Sequence, residues 1–293
     1  MKIDSDRLTG LADVFFNQGQ YQEWHRLHAD ALRQRWLVEQ NLGLLCRQPG
    51  CLPGWSGLSH SQTQYRFTPN KPDEPLELRE QLICARTGLS ARLRLSFQLG
   101  LTLVDSFSVP AYISEQASAA YRWLKQRLPQ LQGSEYFAPA GEAKVAGKLR
   151  YLDINETPHF QDIMALSFDD SSFKLALSFD VLEHVHDFKT ALAEMARVLK
   201  PGGYLVLTAP FMHDRYETMQ RAKLDDNGEI VHLIEPEYHL DPVSTQGVLC
   251  FQTFGWDLLD AAREAGFHDA AMVHPWDISL GLIGGLWCLV ARR

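Results

Sequence analysis

The chain predicts an α/β protein: a mostly parallel sheet with helices on both faces, preceded by a small helical and ribbon-like extension. Three observations carry that expectation. After Pro110, apolar runs of strand length alternate with segments of helical periodicity. Before it, residues 5–45 repeat apolar side chains at helical spacing. Between these, residues 46–75 are rich in Pro, Gly and Ser, the composition of loops and short ribbons. The expected division is a helical segment over 1–45, a ribbon-like subdomain over 46–108 and the α/β domain over 109–293.

Each element has its own signal. Leu8, Leu11, Val14 and Phe15 share one helical face, and Trp24, Leu27, Leu32 and Trp36 another, with Gly19 expected to separate the two helices. The run Ala111–Ile113 reads as a strand, with Ser114 and Glu115 as the expected start of the next helix; Ala120, Tyr121, Leu124 and Leu128 line that helix until Pro129. A second strand is expected over 131–137 and a central one at Phe173–Phe179. Asp187 is placed to cap the following helix, in which Leu192, Met195 and Leu199 share a face before Pro201-Gly202-Gly203 ends it. A buried strand over 204–208, a helix over 256–265 and two late strands near 270–273 and 286–291 complete the pattern. Ligands of such sheets sit outside the carboxyl ends of the strands.

Formal net charge is -8, without a basic stripe, which argues against nucleic acid as the main partner. The basic residues of 79–94 read as a solvated face. No apolar run reaches the roughly 20 residues of a membrane span, and the first ten residues lack the apolar core of a signal peptide, so a cytoplasmic protein is expected. The cysteines, 5 in number, are then expected as thiols.

Residues 162–211 carry the most specific pattern: Asp162, then Ala165-Leu166-Ser167-Phe168, Ser178-Phe179-Asp180, Leu182-Glu183-His184-Val185, and Glu194 through Arg197-Val198-Leu199-Lys200-Pro201-Gly202-Gly203. This resembles the second half of class I S-adenosylmethionine-dependent methyltransferases of the small-molecule type. The resemblance implies a Rossmann-like, mostly parallel seven-stranded sheet, S-adenosylmethionine as cofactor, and in-line methyl transfer to a small-molecule or glycan-like acceptor. It implies that Glu135, in Gly133-Ser134-Glu135-Tyr136, accepts from the ribose hydroxyls, that Asp162 meets the adenine amino group with the Ile163 amide beside the ring, and that Ser178 and Asp180 border the cofactor at the end of the central strand. Carboxylates suit both tasks, since each accepts two donors.

Two features depart from the family pattern. The Gly-x-Gly-x-Gly loop after the first strand is absent, and its place reads Tyr112-Ile113-Ser114-Glu115-Gln116-Ala117-Ser118; the resemblance implies that Ser114 borders the cofactor and Glu115 pairs with its ammonium. Lys174 stands where relatives carry an acid. The segments Tyr112–Gln116, Gly133–Tyr136 and Pro236–His239 also resemble a bacterial group of methyltransferases that lack the glycine loop and carry a zinc ribbon ahead of the domain. In that light residues 46–108 read as a degenerate ribbon, with Cys46, Cys51, Cys84 and His60 as the remaining ligand types.

His184 is the candidate general base, because imidazole titrates near neutrality. The titratable segment 231–242 is the expected substrate lid, with His213, His232, Tyr238 and His239 expected to line the acceptor pocket, and Phe211, Arg215 and Arg221 nearby. Asp180, Glu183, His184 and His186 resemble the Glu-x-x-Glu-His metal pattern of a few such enzymes; the reading adopted places no metal ion there. The alternative function is a non-catalytic subunit that keeps the fold for binding or assembly, its N-terminal helices meeting a protein partner or a second copy.

Overall fold

A computed structural model describes residues 3–70, 74–239 and 247–293, so the end of the expected lid, residues 240–242, lies outside the described residues. The chain forms two compact units. One comprises Asp4–Leu103 with Met272–Cys288; the other comprises Val104–Ala271 with Leu289–Arg293, joined by Ile3. The first unit takes a segment from late in the chain, a discontinuity that a linear division into 1–45, 46–108 and 109–293 does not express.

The first unit begins with α1 (Ser5–Thr9), β1 (Asp13–Phe15), α2 (Gln18–Leu27) and α3 (Ala29–Leu45). The expected first helix is cut short: Val14 and Phe15 pair as a strand with Val273 and Met272. Gly19 lies within the first turn of α2 and not between helices, because Asn17 supplies the N-cap by accepting from the Gln20 amide. A hairpin of β2 (Gly50–Ser56) and β3 (Ser61–Phe67) follows, then α4 (Leu78–Gln81), β4 (Ile83–Cys84) and α5 (Ala91–Leu103). The basic 79–94 stretch is not a solvated ribbon. Arg94 is buried and donates to the carbonyls of Leu82, Leu89 and Gly281 at 2.7, 2.9 and 2.7 Å, which solvate the charge in place of water.

Among the described residues, the cysteines of the ribbon do not gather into a metal-ligating group. Cys46 and Cys84 are buried in a cluster with Tyr65, Phe67, Leu76, Leu78, Leu82 and Ile283. Cys51 is exposed, while the next residue, Leu52, packs on the cluster, so strand alternation turns Cys51 away from the other two thiols. His60 is exposed in the turn at φ 47°. Cys46 and Cys84 thus serve as packed apolar residues of the cluster.

The second unit runs β5 (Ala111–Ile113), α6 (Ala119–Lys125), β6 (Leu131–Gly133), α7 (Glu142–Tyr151), β7 (Phe173–Phe179), α8 (Phe188–Val198) and β8 (Leu199–Thr208). Five short strands follow: β9 (Met219–Gln220), β10 (Ala222–Leu224), β11 (Ile230–His232), β12 (Tyr238–His239) and β13 (Val248–Leu249). The chain ends with β14 (Gln252–Thr253), α9 (Asp257–Glu264), β15 (Asp269–His274) and β16 (Cys288–Arg292). The main sheet has seven strands in the order β1-β15-β16-β8-β7-β5-β6, parallel across β6-β5-β7-β8 and antiparallel at β16–β8 and β1–β15. The expected α/β class with a mostly parallel core is therefore present.

The central strands are apolar along their length because helices cover both faces. All of β5 is buried, as is β7 apart from Lys174. Lys174 donates from Nζ to the Gly202 carbonyl at 2.7 Å, tying the Pro-Gly-Gly turn to the foot of β7. Several boundaries differ from expectation, and β6 ends at Gly133 and not at 137. The helix after β5 starts at Ala119, not at Ser114, because Ser118 caps it by accepting from the Tyr121 amide. Helix α8 ends at Val198, so Leu199 opens β8. Asp187 does cap α8, accepting from the Thr190 amide at 3.1 Å and the Thr190 hydroxyl at 2.7 Å.

Candidate functional site

The carboxyl ends of β5, β6, β7 and β8 meet along one edge of the sheet, and most of the singled-out residues lie there. Ser114 follows β5, with its amide on the Leu177 carbonyl (3.0 Å) and its hydroxyl on Ser178 Oγ (2.9 Å). Asp180 follows β7 at φ 52°, a left-handed conformation that an Asp tolerates better than most residues. It is held there by Thr208: the Asp180 amide donates to the Thr208 carbonyl (2.8 Å) and the Thr208 hydroxyl donates to Asp180 Oδ1 (2.9 Å).

The loop in place of the glycine turn is built by Glu135. One of its carboxylate oxygens, Oε1, accepts from the amides of Gln116 (2.9 Å) and Ala117 (2.6 Å). Gln116 is buried, donating to Glu156 Oε2 and the Thr157 carbonyl and accepting from the His159 amide. On the neighbouring strand, Gly133 leaves room for this loop to pack closely. A Cβ there would lie 2.5 Å from the Tyr121 ring and 2.7 Å from the Glu115 carbonyl oxygen. An open pocket of ≈ 390 Å³ flanks β6, with Tyr121, Lys125, Glu156 and His159 among its walls. Burial would raise the Glu156 carboxyl, but hydrogen bonds from Tyr121, Gln116 and Lys125 hold it below the usual range.

Ahead of Asp162 the chain makes a single parallel bridge, between Glu135 and Phe160. Asp162 stands in the turn that follows, its Oδ1 accepting from the Met164 amide at 2.8 Å, and Ile163 is buried. Tyr136 is 72% exposed and its ring lies 5.6 Å from that of Phe160. Ser114, Glu115, Glu135, Asp162 and Asp180 are all half-buried. This edge thus presents polar side chains to solvent at the end of each parallel strand, and that pattern suits a polar ligand lying across the strand ends.

His184 is placed differently from a base that faces an open cleft. Its Nδ1 lies 2.9 Å from the Leu249 carbonyl and its Nε2 3.7 Å from Oε1 of Glu183. His239 joins it: its Nδ1 is 3.4 Å from the same Glu183 oxygen, and the two imidazoles stand at 88° to each other. Cys250 Sγ completes the group at 3.9 Å from His184 Nδ1. The charges are mutually supporting. The His239 imidazole is pushed up to about 11 by Cys250 and Glu183. Burial raises the Cys250 thiol, but His184 and His239 beside it outweigh that and bring it below its ordinary value. Burial works against a charge on His184, and Cys250 and Glu183 raise it nonetheless. Sequence spacing pointed to Asp180, Glu183, His184 and His186; the fold keeps Glu183 and His184, exposes His186, and brings in His239 and Cys250 from the β12–β13 hairpin. Nothing local to Cys250 signals this.

The remaining expected acceptor residues are more open. His213 is exposed and its carbonyl accepts from the Trp256 indole at 2.8 Å. His232 is exposed on β11 opposite Ala222, and Tyr238 is 56% exposed. Arg221 pairs with Glu237 at 3.0 Å.

Residues 131–207 match the family model described as a methyltransferase domain. Among curated proteins, the O-methyltransferase cnsE of Penicillium expansum is 49% identical over 51 residues, which is 17% of this chain and 18% of that protein. The chain thus matches less than a fifth of that relative's length. Among solved structures, a S-adenosylmethionine-dependent methyltransferase from Mesorhizobium loti superposes with a TM-score of 0.43 at 16% identity, covering 68% of this chain and 97% of that one. The 1,6-didemethyltoxoflavin-N1-methyltransferase of Burkholderia thailandensis, with 1,6-didemethyltoxoflavin and S-adenosylhomocysteine bound, gives 0.42 at 16% identity over 69% and 78% of the two chains.

Proposed function

We propose, from the match of residues 131–207 to a methyltransferase domain, a S-adenosylmethionine-dependent methyltransferase acting on a small-molecule or glycan-like acceptor. The observation that carries this reading is the half-buried row of Ser114, Glu115, Glu135, Asp162 and Asp180 along the carboxyl ends of a parallel sheet, within and beside the matched stretch. When bound, S-adenosylmethionine supplies an electrophilic methyl group on a sulfonium.

The chain's own residues bind and orient. Glu135 is proposed for the ribose hydroxyls, Gly133 for the close backbone approach beneath them, and Asp162 with the Ile163 amide for the adenine. Tyr136 offers an exposed ring to the flat face of the base, while Ser114, Glu115, Ser178 and Asp180 hold the amino-acid end. An in-line displacement gains much of its rate from such positioning alone. His184 and His239 face Glu183 and Cys250, so we assign both to that cluster and not to proton transfer. His213, in the turn after β8, and His232 and Tyr238, on the short strands β11 and β12, are proposed for the acceptor.

A second reading draws on Glu135. With Oε1 already accepting the Gln116 and Ala117 amides, its carboxylate builds the loop, which favours a non-catalytic subunit that kept the fold. One experiment separates the two. Titration calorimetry and thermal melting of the full chain with S-adenosylhomocysteine should show saturable binding; at ~100 times its Kd a ligand adds about 2.7 kcal/mol of stability. A folded protein that gives neither heat nor a shift at millimolar ligand would leave only the second reading.

A further inference from the structure

Glu183 is fully buried, and neither oxygen of its carboxylate accepts a hydrogen bond among the described residues. A buried charge left in that state is costly unless something else compensates it. Its Oε1 faces Nδ1 of His239 at 3.4 Å and Nε2 of His184 at 3.7 Å. The ligand atoms offered by His184, His239 and Cys250 all lie within 4.8 Å of one another. We propose that His184, His239, Cys250 and Glu183 form a zinc(II) site that clamps the β12–β13 hairpin to the segment following β7.

The geometry around each imidazole supports ligation. His184 Nδ1, 2.9 Å from the Leu249 carbonyl, donates its proton there, leaving the Nε2 lone pair toward Glu183. His239 Nε2, 3.1 Å from Glu237 Oε1, donates to that carboxylate, leaving Nδ1 toward the same point. Metal-binding histidines are oriented in this way, with the far nitrogen fixed by a carbonyl or a carboxylate. In a tetrahedron with bonds of about 2.0 Å the ligand–ligand edge is about 3.3 Å, close to the 3.4 and 3.7 Å separations. One thiolate and one carboxylate cancel the charge of a divalent ion, so the buried site is neutral once loaded. The thiolate and imidazole donors select zinc over magnesium or calcium, which prefer oxygen. On binding, the Cys250 thiol gives up its proton to solvent.

The chain just after β13 is already seated on the same segment. The Phe251 amide donates to the Glu183 carbonyl at 2.8 Å, and the Gln252 side chain donates to the Leu182 and Val185 carbonyls, each at 2.9 Å. A metal there would lock a contact between residues far apart in sequence.

This site does not depend on methyl transfer, and its test reads metal alone. The full-length chain, stripped with chelator and titrated with Co2+, should bind one equivalent with the intense visible bands of a tetrahedral ion and a thiolate-to-cobalt band in the near ultraviolet; Zn2+ should displace both, and Mg2+ neither. Cys250→Ser should abolish the near-ultraviolet band and His239→Gln should weaken binding at least tenfold, while Cys84→Ser leaves the spectrum unchanged. A folded wild-type chain that takes up no stoichiometric Co2+ or Zn2+, or a charge-transfer band that survives Cys250→Ser, overturns the proposal. Because the wild-type spectrum reports thiolate ligation directly, a variant that fails to fold does not decide the matter. Binding of S-adenosylhomocysteine without metal would remove this site and leave the proposed function; metal without nucleoside would do the reverse.

Discussion

At the residue scale, Gly133 and Asp162 make separate demands. Gly133 is needed for space: the atoms a methyl group would meet are the Tyr121 ring and a backbone carbonyl, and the latter has no rotamer to adopt. Gly133→Ala should therefore destabilise the protein by about 1–3 kcal/mol, the usual cost of overpacking, measured by urea denaturation. Asp162 is half-buried and bonded to one local amide, so its loss costs the fold little. If it also accepts from an adenine, Asp162→Ala should weaken S-adenosylhomocysteine roughly tenfold, the loss of one charge-assisted hydrogen bond, with little change in Tm. Unchanged affinity would take Asp162 out of the site. The sequence singled out Asp162 through its place in a recognised motif, whereas the space Gly133 must leave beside Tyr121 is set by packing. What Glu135 does was not legible either: its bonds to the 116 and 117 amides depend on how a loop folds back, and no pattern encodes that.

At the element scale, α8 shows how a helix end is secured. Arg197 in its last turn grips Glu194 through Nε–Oε1 (2.7 Å) and Nη2–Oε2 (2.8 Å), and donates to the carbonyls of Leu166 and Phe168. The Arg197 guanidinium, with burial opposing it, holds the Glu194 carboxyl below its ordinary value, and the Leu166 amide adds to this. A carboxyl depressed in the folded state stabilises above its unfolded pKa of about 4.3 and loses that contribution as pH falls through the folded value. Glu194→Gln should thus cost about 1–2 kcal/mol at neutral pH, and the difference from wild type should close on acidification below about pH 4. A gap that stays constant with pH would show that packing, not charge, is at work. The strands β5 and β7 follow from their apolar runs, and α8 from its cap and apolar stripe. Helix starts were misread where a cap one turn later won, as Ser118 did over Ser114. The misplaced strand β1 needed its partner: three residues make a strand only when β15 lies alongside.

At the scale of the whole molecule, the unit built from Asp4–Leu103 is incomplete without Met272–Cys288. Ile283 belongs to its apolar cluster, Trp276 packs against it, and the Gly281 carbonyl accepts from the buried Arg94. A fragment ending at Leu103 would leave that cation short of an acceptor and the cluster open. It should therefore melt without cooperativity and lack near-ultraviolet circular dichroism, whereas the full chain shows both; a sharp transition in the fragment would contradict the assignment. Alone, the sequence determined the alternation of strands and helices from Ala111 onward, the methyltransferase resemblance and the acids at the strand ends, because periodicity, caps and motif spacing act over a few residues. Only the tertiary structure decided that Glu183 and His184 meet His239 and Cys250, and that a late segment completes an early core. Such contacts are chosen by burial and shape across the folded chain, and local pattern holds no record of them.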